Sequence, residues 1–231
     1  MIGFDPLYLL FALPGLVLAL FAAWRTRSTF HAYSQVAPSS GMTGAEAAAA
    51  MLASQGVYGV RIEPTTGFLS DHYDPRANAL RLSESVYYGR SLAAVGVACH
   101  EAGHALQQAH GYGPLALRSA LVPVTEIGSS LAWIVLTAGM LMHLAGLVYL
   151  GVALFAASVV FALVTLPVEW DASARAKALM VRAGIVAPAE REHAGSVLNA
   201  AFLTYLAAAV TSILTLIYYL VRAGSLERDD A

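Results

Sequence analysis

Four long apolar segments constrain this chain more than any other feature of its sequence. They cover residues 6–24, 127–145, 147–168 and 200–221, and none of them contains Lys, Arg, Asp or Glu. Each is long enough to cross the roughly 30 Å hydrocarbon core of a bilayer as a helix. The whole chain is 58% hydrophobic and only 12% charged, which is outside the usual range of soluble domains. The sequence therefore predicts a multi-pass protein of the lipid bilayer.

The first apolar segment has one alternative interpretation, a cleaved signal peptide. It follows the acidic Asp5 and precedes Arg25 and Arg27, which reverses the charge order of a signal peptide. We therefore predict a first transmembrane helix in residues 1–24. The remaining spans are a hairpin of two helices in residues 127–168 and a fourth helix in residues 200–221, followed by a tail at residues 222–231.

The distribution of basic residues predicts the orientation in the membrane. If residues 25–126 and 169–199 are cytoplasmic, eleven of the thirteen Lys and Arg lie inside, and only Arg222 and Arg228 lie outside. This is the arrangement that the positive-inside rule favours. A single cysteine, Cys99, excludes an intrachain disulfide and fits a cytoplasmic face. We therefore expect a cell-membrane protein with its soluble domain on the cytoplasmic side.

A small mixed domain is predicted in residues 25–126. Thr43 and Glu46 form a capping-box pattern before an alanine-rich helix, which Gly56 ends. Three short strands should follow, punctuated by Pro64 and by turn residues; we place them at Val60–Glu63, Phe68–Tyr73 and Ala79–Leu82. The net charge of −2, with scattered cations, gives no basic patch, so we expect no nucleic-acid partner.

The sequence HEAGH carries the chemistry. It lies inside residues 90–110, a proline-free segment that predicts a helix. His100 and His104 are four residues apart and share one helical face, with Glu101 beside them. Two such imidazoles can bind Zn²⁺, which lowers the pKa of a bound water toward about 7 so that a carboxylate can take its proton. We predict Glu101 as the general base.

The alternative is that these three side chains only make a helix face polar. Their neighbours are mostly apolar, and buried imidazole and carboxylate groups need partners, which a metal supplies. A catalytic zinc normally takes three protein ligands. Glu169 is the best third candidate, because it directly follows the third apolar segment on the predicted cytoplasmic side. It could instead be an interfacial carboxylate, with Trp170 as a membrane anchor.

Other polar residues fit the ligand role less well. His110 is six residues from His104 and so lies off the ligand face. Asp171 could accept a hydrogen bond from a ligand imidazole, or cap a helix that begins at Ala172. The weakest candidates for zinc ligands are His31, His143 and His193.

Three segments carry a family resemblance: HEAGHALQQAHGYGPLALRSALVPV, DHYDPRANALRLSESVYYGRS and LPVEWDASARA. They resemble the bacterial membrane neutral zinc metallopeptidases known as the YugP-like family, over nearly the whole chain. The resemblance implies a gluzincin-type site, with His100 and His104 as ligands, Glu101 as base and Glu169 as third ligand. The chain is more distantly similar to HtpX-type and CAAX-processing membrane metallopeptidases. The acidic residue that those proteins have four positions after the glutamate is replaced here by Ser173.

The resemblance also draws attention to His72. In related folds an edge strand here pairs with extended substrate, and His72 could then polarise the scissile carbonyl. Alternatively, the sequence DHYDP only shapes a turn. Arg175 and Tyr205 are weaker candidates for the same role.

Together these features predict a mainly α membrane protein with four transmembrane helices and a small cytoplasmic α+β zincin-like (gluzincin) domain that contains the HExxH helix. The predicted function is a zinc-dependent endopeptidase acting on membrane or cytoplasmic protein and peptide substrates, with residues 169–199 supplying the third ligand. The alternative is a non-catalytic membrane scaffold with structural zinc. A zinc transporter or sensor is disfavoured, because the spans contain essentially no ionisable residues. A homo-oligomer and a membrane-protein partner are both left open.

Overall fold

The computed structural model describes residues 5–67 and 70–229 of the chain, and it is mostly helical. A short 3₁₀ turn, Pro188–Glu190, precedes the last helix. The strands are β1 (Arg61–Thr65), β2 (His72–Asp74) and β3 (Ala79–Ser83). The helices are α1 (Pro6–Ser34), α2 (Gly44–Ser54), α3 (Glu84–Tyr87), α4 (Leu92–Ala109), α5 (Gly113–Leu141), α6 (Ala145–Arg182) and α7 (Arg191–Asp229).

Four of these helices, α1, α5, α6 and α7, are long and apolar enough to cross a membrane, as the sequence predicts. Each continues beyond its apolar segment: α1 runs on to Ser34 and α6 to Arg182. Loss of apolar character does not end a helix, since the backbone hydrogen bonds continue as long as no breaker intervenes. A separate helix beginning at Ala172 is therefore wrong. Asp171 lies inside α6 and caps nothing.

The chain forms two compact units. The first, which we call the apolar unit, comprises the described residues 5–21, 117–166 and 204–229. Its helices α5 and α6 form a hairpin whose turn includes His143 in a left-handed conformation, with φ of 55°. Gly139 and Gly151 allow close packing, because a Cβ on either would lie within 3 Å of the facing helix. These small residues thus serve packing inside the chain. Many large apolar side chains on this unit are exposed, as expected for a surface that meets lipid.

The second unit, which we call the site unit, comprises residues 22–67, 70–116 and 167–203. Its three-stranded sheet has the order β1-β3-β2, with β1 parallel and β2 antiparallel to β3. Pro64 lies inside β1 and does not end it. This is tolerated because β1 is an edge strand, where a missing backbone N–H need not break a ladder bond. The predicted strand Phe68–Tyr73 is represented by β2, while Phe68 and Leu69 lie outside the described residues.

Helix α4 forms the centre of the site unit. Its Ser91 N-cap accepts a hydrogen bond from the Ala94 backbone N–H at 3.2 Å. Most of its surface is buried against α2, the sheet and the polar end of α6. The predicted capping box of α2 is present, since Thr43 Oγ1 accepts from the Glu46 N–H and Glu46 accepts from the Thr43 N–H. A fixed, central α4 is what holds HEAGH in place.

Candidate metal centre

Three side chains from α4 and α6 converge on one point. His100 and His104 lie on one face of α4, with ring centroids 4.8 Å apart. Glu169 comes from α6, and its Oε2 lies 3.1 Å from His100 Nε2 and 3.5 Å from His104 Nε2. The candidate ligand atoms of all three residues lie within 4.8 Å of one another. Glu169 is only 1% exposed, which does not fit an ordinary interfacial carboxylate. The structure thus brings together the three residues that the sequence predicts as ligands.

A glycine within the motif explains how the two helices come so close. A Cβ at Gly103 would lie 2.7 Å from the backbone oxygen and 3.2 Å from the Cα of Ala172. No ordinary side chain fits at that distance, so glycine is required for the backbone of α4 to approach α6 at this level. The contact lies one residue before His104 in α4 and three after Glu169 in α6, so it determines how closely the imidazoles face the carboxylate.

Both imidazoles have an oxygen partner at the nitrogen that faces away from Glu169. His104 Nδ1 lies 3.0 Å from Gln107 Oε1, and His100 Nδ1 lies 3.1 Å from Ser173 Oγ. Such outer hydrogen bonds orient histidines that bind metal through the opposite nitrogen. Asp171 does not bind a histidine directly. Its Oδ2 accepts a 2.9 Å hydrogen bond from Gln107 Nε2, and Gln107 in turn contacts His104. Asp171 is therefore connected to the ligand imidazole through Gln107 and not by the direct hydrogen bond that one interpretation of the sequence predicts.

The donor set suits zinc. Two imidazole Nε2 atoms and one carboxylate oxygen are ligands that Zn²⁺ prefers, and three protein ligands are typical of a site that keeps a position for water. Each imidazole has its second nitrogen occupied, and the carboxylate is buried with both imidazoles against it. Exposed acidic clusters that merely repel one another lack these features.

Comparison with known proteins agrees with this geometry. A family described as "Putative neutral zinc metallopeptidase" matches residues 8–224. This chain belongs to that family. It is also 45% identical over 215 residues to the "Putative membrane protease YugP" of Bacillus subtilis (strain 168), which covers 93% of this chain and 96% of the relative. No solved structure matches the chain significantly. The predicted YugP-like resemblance and zinc as the metal of the family are therefore confirmed.

Two further acidic side chains, Glu101 and Asp71, interact electrostatically with each other, and Glu101 also interacts with the candidate ligand His104. Glu101 is buried in α4, next to His100. Burial lowers the pKa of His104, but the hydrogen bond to Glu169 and the charge of Glu101 outweigh it, so that pKa is raised above its ordinary value. Burial raises the pKa of Asp71, and the charge of Glu101 adds to this rise. The site therefore concentrates negative charge, which favours a bound cation.

Asp71 has a structural role in the strand region. Its Oδ1 accepts hydrogen bonds from the backbone N–H of Ser83 at 2.7 Å and from the Ser83 hydroxyl at 3.0 Å. Asp74 similarly accepts from the backbone N–H groups of Arg76 and Ala77. These bonds show that both acidic residues of DHYDP shape the local chain, as one of the two interpretations predicts. His72 lies in β2 with an exposed side chain, and its Nδ1 is 2.8 Å from the Ser70 carbonyl oxygen.

The weaker candidates, Arg175, His110 and Tyr205, are not among the three clustered side chains. Arg175 forms a 2.5 Å ion pair with Asp171 and packs over the ring of Tyr112. His110 is the C-cap of α4 and lies 3.1 Å from the Arg175 guanidinium. Tyr205 lies in α7, in the part of the chain assigned to the apolar unit.

The contacts of Gln107 and Ser173 with the two imidazoles are not predicted from the sequence. A signal existed for both. Gln107 is three residues after His104, and Ser173 is four after Glu169, so each shares a helical face with a candidate ligand. What the sequence does not give is the pairing between α4 and α6.

Proposed function

We propose that this protein is an integral-membrane zinc endopeptidase in which His100, His104 and Glu169 hold the metal and Glu101 is the general base. The observation that carries the proposal is the convergence of the three ligand atoms within 4.8 Å, with buried Glu101 beside His100 on α4. Among residues 5–67 and 70–229 the cluster has three candidate ligands, which favours a catalytic site over the alternative of a structural zinc with its usual four protein ligands.

The roles of the residues follow from their chemistry. Zinc, when bound, supplies Lewis acidity toward a peptide carbonyl and makes a water acidic enough to lose a proton near neutral pH. The Glu101 carboxylate accepts that proton and passes it to the leaving amine. Glu169 would supply a negatively charged oxygen ligand, and the two histidines would supply the lone pairs of their neutral Nε2 atoms. Burial keeps competing water away from these groups, which strengthens each electrostatic interaction.

The substrate that fits best is an extended polypeptide. In the described part of the chain β2 is at the edge of the sheet, paired with β3 on one side only. An edge strand can bind an extended peptide through backbone hydrogen bonds, largely independently of side chains. The exposed His72 on this strand is the candidate group for polarising the scissile carbonyl. Substrates are therefore segments of membrane or cytoplasmic proteins that are locally unfolded.

The proposed orientation, with the site on the cytoplasmic side, rests on the basic residues and on the order of the apolar helices. It can be tested by single-cysteine labelling, because the native Cys99 is fully buried. Tyr58→Cys places a thiol at a position that is 78% exposed in the site unit, and Leu144→Cys places one in the turn between α5 and α6. A membrane-impermeant maleimide should label the second variant in intact cells and the first only after permeabilisation. The reverse pattern would show the opposite orientation.

Activity is tested by digestion of casein, an unstructured substrate, with the detergent-purified full chain. Zinc content is measured on the wild type, Glu101→Gln and Glu192→Gln, the last being a control at an exposed carboxylate in α7. We expect the wild type and Glu192→Gln to bind zinc and cleave casein, and Glu101→Gln to bind zinc without cleaving. A wild type that binds no zinc refutes the metal site, and a Glu101→Gln variant that remains active refutes the assignment of the base.

A further inference from the structure

Gln107 is a completely buried polar side chain, with 0% exposure. It forms hydrogen bonds with His104 and with two residues of α6. Its Oε1 lies 3.0 Å from His104 Nδ1, and its Nε2 lies 2.8 Å from the Val168 carbonyl oxygen and 2.9 Å from Asp171 Oδ2. A primary amide has one oxygen acceptor and two N–H donors. All the hydrogen-bonding capacity of its NH₂ group is therefore used.

The orientation of this amide is determined by its partners in α6. A backbone carbonyl oxygen and an ionised carboxylate can only accept hydrogen bonds. Val168 and Asp171 therefore require the NH₂ end of Gln107, and the amide oxygen must face His104. Asp171 is itself held by Arg175 at 2.5 Å, which keeps its oxygen in place as an acceptor. Rotating the amide by 180° would leave two acceptors facing an oxygen in a buried position, a costly arrangement.

An oxygen at His104 Nδ1 requires that nitrogen to carry a proton. In the neutral imidazole the other nitrogen, Nε2, then carries the lone pair, and Nε2 is the atom that faces Glu169. We propose that Gln107 is a positioning residue which fixes His104 in the Nδ1–H tautomer, so that Nε2 is always available to a metal. This inference rests on the proposed function of the site.

His100 differs from His104 in this respect. Its Nδ1 lies 3.1 Å from the hydroxyl of Ser173, and a hydroxyl can donate or accept. Ser173 therefore keeps a hydrogen bond to His100 in either tautomer and fixes neither. Only His104 is held in the tautomer that a metal needs.

The same amide also connects His104 to the segment that carries the third ligand. Val168 directly precedes Glu169, and Asp171 follows it by two residues. Gln107 thus has two separable effects: its oxygen sets the tautomer of His104, and its NH₂ group holds α4 to α6. A variant that keeps one effect while weakening the other can distinguish them.

The test compares four forms of the full-length protein purified in detergent: wild type, Gln107→Leu, Gln107→Glu and Gln108→Leu. The last makes the same chemical change at the next position of α4, where the side chain is exposed. Two quantities are measured on each form. They are the zinc dissociation constant, from competition with a chelator, and the Tm of the metal-free protein.

Gln107→Leu removes the acceptor, and we expect its zinc affinity to fall by about 10- to 100-fold, as for other losses of an outer partner of a ligand histidine. Gln107→Glu keeps an oxygen acceptor at His104 whether its carboxyl group is ionised or protonated. It should therefore recover most of the zinc affinity, although its Tm falls because its carboxyl group can donate to at most one of the two acceptors, the Val168 carbonyl and the Asp171 carboxylate. Gln108→Leu should match the wild type in both quantities.

The inference is overturned if Gln107→Leu binds zinc as tightly as Gln108→Leu. It is also overturned if the zinc affinities of the two Gln107 variants fall in step with their Tm values, because Gln107 would then only hold the helices together. If Gln107→Leu does not fold, the comparison of Gln107→Glu with the wild type decides, and a large loss of zinc affinity at near-native Tm refutes the tautomer role. A wild type that binds no zinc instead refutes the proposed function.

Discussion

Replacing Gly103 with alanine tests whether the close approach of α4 to α6 builds the site. Two effects on stability oppose each other. Glycine in a helix interior costs about 1 kcal/mol relative to alanine, so helix propensity alone predicts that Gly103→Ala is more stable. The added methyl group, however, would lie 2.7 Å from the Ala172 carbonyl oxygen, whereas close C···O contacts between helices are about 3.3–3.6 Å.

The overlap sets the size of the effect. The two backbones must separate by about 0.6 Å or more to restore a normal contact, because the obstructing atom belongs to the main chain and cannot rotate away. Overpacking of this kind costs about 1–3 kcal/mol. It outweighs the gain in helix propensity, and we expect a net loss of up to about 2 kcal/mol in the free energy of unfolding.

The displacement should damage the metal site more than the fold. Zinc ligands tolerate deviations of only about 0.2 Å from ideal distances, and the strained contact at Ala172 lies three residues from Glu169. We therefore expect the zinc affinity of Gly103→Ala to fall by about tenfold or more. The assay is chelator competition together with denaturant unfolding of the metal-free protein.

Gly113→Ala is the matched control, because a Cβ at that position would meet no atom within 4 Å. It should leave zinc affinity and stability nearly unchanged. If Gly103→Ala is more stable than the wild type and binds zinc equally well, the approach of the two helices is not what places Glu169 against the imidazoles.

Three further outcomes are expected. Glu169→Gln should lose most of its bound zinc in a metal-content assay while Glu101→Gln keeps it, and equal zinc contents would contradict the assignment of Glu169 as a ligand. Because the hydrogen bond to Glu169 and the charge of Glu101 outweigh burial and raise the pKa of His104 above the ordinary imidazole value, His104 contributes stability to the metal-free protein. That stability is fully present below the ordinary pKa and is lost as pH rises through the raised pKa. Thermal unfolding with a chelator should show this decline, while zinc affinity rises over the same range because protons no longer compete; a pH-independent zinc affinity would refute the reasoning. Thr43→Ala removes the capping box of α2 and should cost about 1 kcal/mol in denaturant unfolding without changing zinc affinity, and a weakened zinc site would contradict this.

The features that the sequence predicts correctly are those with a local cause. The apolar segments predict the four membrane-length helices, because a hydrocarbon core imposes both length and composition. The i, i+4 spacing of His100 and His104 places them on one face of α4, because helix geometry is periodic. The capping box at Thr43 is equally local, since its donors and acceptors lie within three residues.

The features that could not be predicted depend on how distant parts of the chain pack. Asp171 was interpretable as a cap only while the end of α6 was unknown; in the continuous helix it faces Gln107 of α4. Pro64 reads as a strand breaker until the order of the sheet places β1 at an edge. The close contact at Gly103 has no signature in its own segment, because the obstructing atom belongs to Ala172.

The outer partners of the two histidines, Gln107 and Ser173, carry no formal charge. A carboxylate at position 173 would add a negative charge to a site where His104 already interacts with the charges of both Glu101 and Glu169. The raised pKa of His104 shows that this charge is already felt. The Ser173 hydroxyl and the Gln107 amide oxygen are hydrogen-bond partners without a formal charge, so they hold the imidazoles at no further electrostatic cost. The nearby carboxylate of Asp171 contacts Gln107 and not an imidazole. Its negative charge is compensated by the guanidinium of Arg175 at 2.5 Å.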